Sequence, residues 1–134
     1  MPLLENDTLF AFLDKNDANH ADAERVFAKL EKGTLSVDAS SVSLVEMELV
    51  YKSERLEGRL LEDLAAVAAL PNVNYVAFSP DQAVASAYIR SSQGLSFFDS
   101  HYAAAALGLD GKIISFDRAY EKVPGLTRID PSEA

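Results

Sequence analysis

Cysteine is absent from this chain, which excludes disulfides and thiolate metal sites. Histidine is scarce: two residues argue against a dedicated zinc centre. No uninterrupted apolar run approaches the ~20 residues that cross a bilayer. The opening MPLLENDTL has no basic n-region and bears acids early, unlike a secretory signal. A cytoplasmic protein with no membrane association is therefore expected. Positive charge is also in short supply, with 12 Lys and Arg against 21 Asp and Glu and a net charge of −9. A protein that grips nucleic acid mainly through phosphates is basic. This balance argues against a simple coat protein or repressor. It leaves room for an enzyme that meets phosphate through bound cations. Repeats, low-complexity tracts and long linkers are missing as well.

What is present is an ordinary globular composition. The apolar fraction is 49%, and 134 residues suffice for one domain with its own core, expected to span 1–134. Short apolar runs alternate with helical patterns. Strands are expected at Pro2 to Leu4, Leu35 to Val37, Val73 to Ala77, Lys112 to Ser115 and Leu126 to Ile129. Helices are expected over Thr8 to Leu13 with Asp7 as its cap, through Ala23, Val26, Phe27 and Leu30 up to Gly33, and after Ser40 and Ser41. That last helix shows an apolar stripe of Val42, Val45, Leu49 and Val50. Further helices are expected through Leu60, Leu61, Leu64, Val67 and Ala68, from Pro80 to near Gly94, and over Phe98 to Leu109. Strands separated by helices predict βαβ units in a three-layer α/β/α fold with a central, mainly parallel sheet. Sites in such sheets form at the carboxyl ends of strands.

Acids stand at those places. Glu5 and Asp7 follow the first strand, Glu46 lies beside an apolar helix stripe, and Asp99 opens an alanine-rich helix. Asp117 comes just after a buried strand, with Ser115 two residues before it. Each has an ordinary explanation alone: a cap, a turn, or a boundary residue reaching water. Together they suggest more. Carboxylates converging on one point resist ionising beside one another, and a divalent cation relieves the repulsion. An all-oxygen ligand set suits Mg²⁺ or Mn²⁺. His20 and His101 are read as structural histidines rather than acid–base groups.

The stretches LLENDTLFAFLDKNDANH, VSLVEMELVY, LSFFDSHYAAAALGL and KIISFDRAYEKVPGL, spanning nearly the whole chain, resemble a PIN-domain ribonuclease of the VapC toxin type. In that family an acid follows the first strand, a glutamate sits in a mid-chain helix, and an aspartate opens an alanine-rich helix. A further aspartate follows a strand with Ser or Thr two residues earlier. The resemblance implies metal-dependent hydrolysis of RNA, with Glu5 or Asp7, both lining the site, and Glu46, Asp99 and Asp117 as ligands of one or two metal ions, and Ser115 and Asn6 orienting water or phosphate. It also implies a homodimer and a VapB-type antitoxin whose tail enters the active-site groove. Phe10, Phe12, Phe27 and Tyr51 are candidates to line that groove, although plain core packing explains each of them. One departure stands out: the family's first Asp falls on Glu5, and Asp7 falls on the third position of that motif. Glu5 in place of Asp also raises the alternative of a catalytically inactive PIN-like binding module. A phosphoacceptor receiver domain and an aspartate-based phosphohydrolase are set aside, because the aspartates and the lysine they need are not at the required strand ends.

Overall fold

Leu3 and Leu4 form the central strand, β1, of a five-stranded parallel sheet in a computed structural model that describes residues 1–134. β2 (Val37–Ser40) pairs with it on one side, and β3 (Val73–Val76) lies outside β2. On the other side lie β4 (Lys112–Ile114) and then β5 (Thr127–Ile129), so the order is β3-β2-β1-β4-β5. Leu3 stands opposite Ile113, and Leu4 opposite Ile114. Successive strand side chains point to opposite faces, and this alternation feeds two cores. Leu3 and Ile113 pack against α5 (Pro80–Gln93) and α6 (Phe97–Leu107). Leu4 and Ile114 pack against α1 (Asn6–Leu13), α2 (His20–Lys32), α3 (Val42–Ser53) and α4 (Glu57–Ala68). The result is the expected three-layer arrangement.

Several local signals act as their chemistry dictates. Gly33 ends α2 in the left-handed region (φ 75°), which glycine enters without steric cost. Ser79 caps α5 by accepting the Gln82 amide, with Pro80 at the first helical position. The alanine block of α6 is buried, and this lets the helix lie close on the sheet.

Three expectations are corrected. The second strand runs Val37–Ser40 rather than Leu35 to Val37. Pairing with both neighbours decides it, and buried Asp38 is held by Asn74 Nδ2 at 2.9 Å. The first helix begins at Asn6, and its cap is Glu5, which accepts the Asp7 amide at 3.1 Å; Asp7 sits inside the first turn. The buried face of α3 is Ser43, Met47 and Tyr51, spaced by one turn, while Val45 and Leu49 are half exposed. α3 is apolar on more than one face, so periodicity alone did not choose between them.

The chain runs from β1 outward to β2 and β3, then returns to the far side of β1 at β4. Strand order therefore reverses between β1 and β4. The connections leaving these two strands diverge there, and a crevice opens at their carboxyl ends.

Candidate functional site

Glu5 leaves β1 at this crevice, and Ser115, Phe116 and Asp117 leave β4 beside it. α6 brings in Asp99 and α3 brings in Glu46. A hollow of about 340 Å³ is lined by Glu5, Asp7, Phe10, Glu46, Asp99, Phe116 and Asp117. All five acids picked out in the sequence thus face one place, across separations of up to 112 residues.

Their surroundings differ. Glu5 is 5% exposed. Its Oε1 accepts the Asp7 amide, and its Oε2 lies 3.2 Å from Ser115 Oγ. Asp7 Oδ2 accepts from Ser115 Oγ at 2.6 Å and from the Phe116 amide at 2.9 Å, while Oδ1 accepts from Thr8 Oγ1. Asp7 thereby ties the start of α1 to the end of β4. Glu46 Oε1 accepts from Tyr102 Oη at 2.7 Å and from Asn6 Nδ2 at 3.0 Å. Asp99 Oδ1 accepts from Tyr120 Oη at 3.2 Å. Asp99 is not the cap of α6: Ser96 takes that role by accepting the Asp99 amide, which leaves the Asp99 carboxylate to face the hollow. Asp117 is exposed at the rim, where it accepts the Ala119 amide at 2.8 Å and so starts the 3-10 turn Arg118–Lys122.

The electrostatics follow from burial without compensation. No ion pair in the protein reaches any of these five acids. Burial raises the Glu5 carboxyl well above the ordinary glutamate range, and the neighbouring Asp7, Asp99 and Glu46 raise it further. Burial also raises Asp7, against the opposing hydrogen bonds from Ser115, Thr8 and Phe116. It raises Glu46 despite the donors Tyr102 and Asn6, with Asp99 and Asp7 adding to the effect. Of the coupled pair, Glu5 keeps its proton more firmly than Asp7.

Uncompensated carboxylates crowded in a hollow form an oxygen-only donor set that matches a hard divalent cation. No three of them already close into a ligand cluster. Mg²⁺ does not need one, since it keeps several waters and is bound through one or two carboxylates.

Asn6 and His20 have hydrogen-bond partners, whereas His101 is held by ring packing and its buried Nδ1 has none. Asn6 Nδ2 is buried and donates to the Ser43 carbonyl at 2.8 Å as well as to Glu46, so it braces α3 rather than opening to the hollow. His20 Nδ1 lies 2.9 Å from the Ala11 carbonyl, and Nε2 lies 3.0 Å from Glu24. His101 is buried between the rings of Phe97 and Phe78. Burial, and then Arg90, lowers its pKa below the usual histidine value.

Tyr102 and Tyr120 were not singled out by the sequence. A signal existed: each lies three residues after an acid of the set, in a strongly apolar setting where a buried phenol must find a partner. Phe27 and Tyr51 are core residues, with Phe27 stacked on Phe12 at 4.2 Å. Phe10, Leu13, Val50, Tyr51, Leu56 and Arg59 line a separate cleft of about 610 Å³ between α1 and the α3–α4 pair.

Comparison with known proteins gives a consistent result. The model of the PIN domain family matches residues 6–126. Among solved structures, VapC20 of Mycobacterium tuberculosis, described as a Sarcin-Ricin loop cleaving toxin, superposes with a TM-score of 0.71 at 20% identity, covering 90% of this chain and 93% of that one. DNA-bound VapBC from Salmonella typhimurium gives 0.69 at 18% identity, with 98% and 99% covered. A toxin–antitoxin complex from Klebsiella pneumoniae gives 0.67 at 19% identity over the full length of both chains. No curated protein sequence matches the chain.

Proposed function

The chain belongs to the PIN domain family, and from that premise we propose that it is a metal-dependent endoribonuclease, the toxin of a VapBC-type toxin–antitoxin pair. The observation that carries the reading is the group of acids in one hollow with no cationic side chain to neutralise them. Glu46 and Asp99 would hold Mg²⁺ or Mn²⁺, with Glu5, Asp7 and Asp117 completing the charge around it. When bound, the ion would supply Lewis acidity, making a water nucleophilic near neutral pH and screening the scissile phosphate. The chain's own part is to bind and orient. Asp7 and Ser115 lock the ends of β1 and β4 together, which fixes where Glu5 stands. Asn6 and Tyr102 hold Glu46, and Tyr120 holds Asp99. Water adds to phosphorus, the ester P–O bond breaks, and the leaving oxygen takes up a proton. With a net charge of −9, the protein repels bare phosphate, so RNA binding is expected to depend on the ion.

Structural relatives that are toxin–antitoxin complexes support a VapB-type partner. The cleft beside α1, where Phe10, Leu13, Val50, Tyr51 and Leu56 stand among Asp14, Lys15, Asp17, Glu54 and Arg59, is a suitable seat for an antitoxin tail of mixed apolar and charged character. Exposed Val45 and Leu49 on α3, and Val84 and Tyr88 on α5, support a homodimer.

Asp99→Asn tests the activity. It keeps the shape of the side chain and removes its charge. RNA cleavage with Mn²⁺ is expected to fall by at least about 100-fold, with the circular dichroism spectrum unchanged. Full metal-dependent cleavage by a folded variant would overturn the role given to Asp99.

A catalytically inactive binding module is the second reading. What favours it is Glu5 in place of aspartate, with both Asp7 oxygens and Glu5 Oε1 already engaged by protein donors. Mn²⁺ affinity separates the two, since an inactive scaffold needs none.

A further inference from the structure

The four innermost acids are not held alike. Both Asp7 oxygens and Glu5 Oε1 accept from protein donors, and Glu5 Oε2 lies 3.2 Å from the Ser115 hydroxyl that serves Asp7. Glu46 and Asp99 each have one oxygen engaged and one that accepts nothing from the protein. In both cases a buried tyrosine makes the difference. Tyr102 Oη donates to Glu46 Oε1 at 2.7 Å, and Tyr120 Oη donates to Asp99 Oδ1 at 3.2 Å. Glu46 Oε2 and Asp99 Oδ2 remain free.

We propose that Tyr102 and Tyr120 are positioning residues: each pins one oxygen of an acid, so that Glu46 and Asp99 present their other oxygens together to a divalent cation. The inference rests on the metal-dependent reading above. Two carboxylates facing one hollow repel each other and would swing apart in the absence of an ion. A phenol held rigidly by packing prevents that rotation and fixes the ligand geometry before the ion arrives. Rigidity is supplied by burial: Tyr102 is 1% exposed and Tyr120 0%, both in the core that joins α6 to the sheet. Asn6 reinforces the first clamp. Its Nδ2 reaches Glu46 Oε1 at 3.0 Å and Tyr102 Oη at 3.3 Å, and it is anchored on the Ser43 carbonyl of α3. The two clamps join distant parts of the chain. Tyr102 on α6 holds an acid of α3, and Tyr120 from the turn after β4 holds an acid of α6.

A purely structural role for these hydroxyls makes a different prediction from a positioning role, and Tyr→Phe separates them because it keeps the ring. Calorimetric titration of wild type, Tyr102→Phe and Tyr120→Phe with MnCl₂ is the test, with thermal unfolding of each metal-free protein alongside. Positioning predicts Mn²⁺ affinity weakened by about 10-fold or more in each variant. It also predicts RNA cleavage that recovers as Mn²⁺ is raised, with KM for RNA at saturating Mn²⁺ unchanged. Mn²⁺ affinity within twofold of wild type in both folded variants would overturn the inference while leaving the metal-dependent reading intact. Wild-type protein that binds no Mn²⁺ would overturn that reading, and the inference with it. The two phenylalanine variants stand in different elements, so one that fails to fold leaves the other to decide.

Discussion

Ser115 shows how much one hydroxyl can organise. It is fully buried, donates to Asp7 at 2.6 Å, lies 3.2 Å from Glu5 and accepts the Asp117 amide at 3.0 Å. Its one proton goes to Asp7 with Glu5 close by, so this hydroxyl bridges two carboxylates that backbone amides also hold. Ser115→Ala is expected to cost about 1–3 kcal/mol, the penalty for leaving buried polar groups without a partner. A lower urea midpoint with an unchanged slope would register it. A loss below about 0.5 kcal/mol would mean that water replaces the hydroxyl. Residue types were the most legible layer of the site. Aspartate or glutamate at a strand end or a helix start draws attention on its own, as do Glu5, Asp7, Asp99 and Asp117, and Glu46 stands out as a charge beside the apolar stripe of a helix. Partners were not legible at this scale. Asn6 was assigned to water or phosphate, but its amide turns inward to Ser43 and Glu46. Nothing in the neighbouring sequence tells which way a buried amide points.

Among the elements, α6 carries the sharpest constraint. Four consecutive alanines, Ala103 to Ala106, lie at 0–7% exposure. Their small side chains allow the helix to pack closely on the sheet and on α5, and that closeness places Asp99 over the crevice. Ala103→Leu adds volume at a fully buried position and is expected to cost about 1–3 kcal/mol through overpacking. Because it lifts the helix bearing Asp99, it is also expected to weaken Mn²⁺ binding; stability by urea and affinity by calorimetry report the two effects separately. Helix ends were readable because Gly33, Gly94, Ser79 and Pro80 carry their own backbone preferences. The buried face of α3 was not. Val42, Val45, Leu49 and Val50 compete with Met47 and Tyr51 for the core, and only packing against α4 and the sheet selects Met47 and Tyr51. β2 was misplaced for a related reason: VDAS has no strong strand propensity, and its two parallel neighbours impose the conformation.

For the whole molecule, charge and stability are linked. The raised carboxyls of Glu5, Asp7 and Glu46 mean that the native state binds more protons than the unfolded chain above the ordinary values of 3.8 to 4.5. The contribution of these groups to stability therefore falls as pH rises from about 4 through their native values. The lowered His101 acts in the opposite sense, adding stability as pH rises through 6.5. A divalent ion must displace the carboxyl protons, so it isolates the first effect. The gain in Tm on adding Mn²⁺, relative to EDTA at the same pH, is expected to be small near pH 4.5 and to grow toward pH 8. At an ion concentration about 100 times Kd, the gain corresponds to about 2.7 kcal/mol. Differential scanning calorimetry at several pH values measures it, and a gain independent of pH would argue that the ion binds elsewhere.

The amino-acid order by itself determined the alternation of strands and helices, hence the layered parallel architecture, because periodicity, caps and breakers act over a few residues. It also determined which acids were available. The tertiary structure alone decided that β1 and β4 are neighbours, that Tyr102 and Tyr120 reach Glu46 and Asp99, and that no lysine or arginine joins them. Those outcomes depend on contacts between residues far apart in the chain, where the packing of whole layers, rather than local preference, sets the distances.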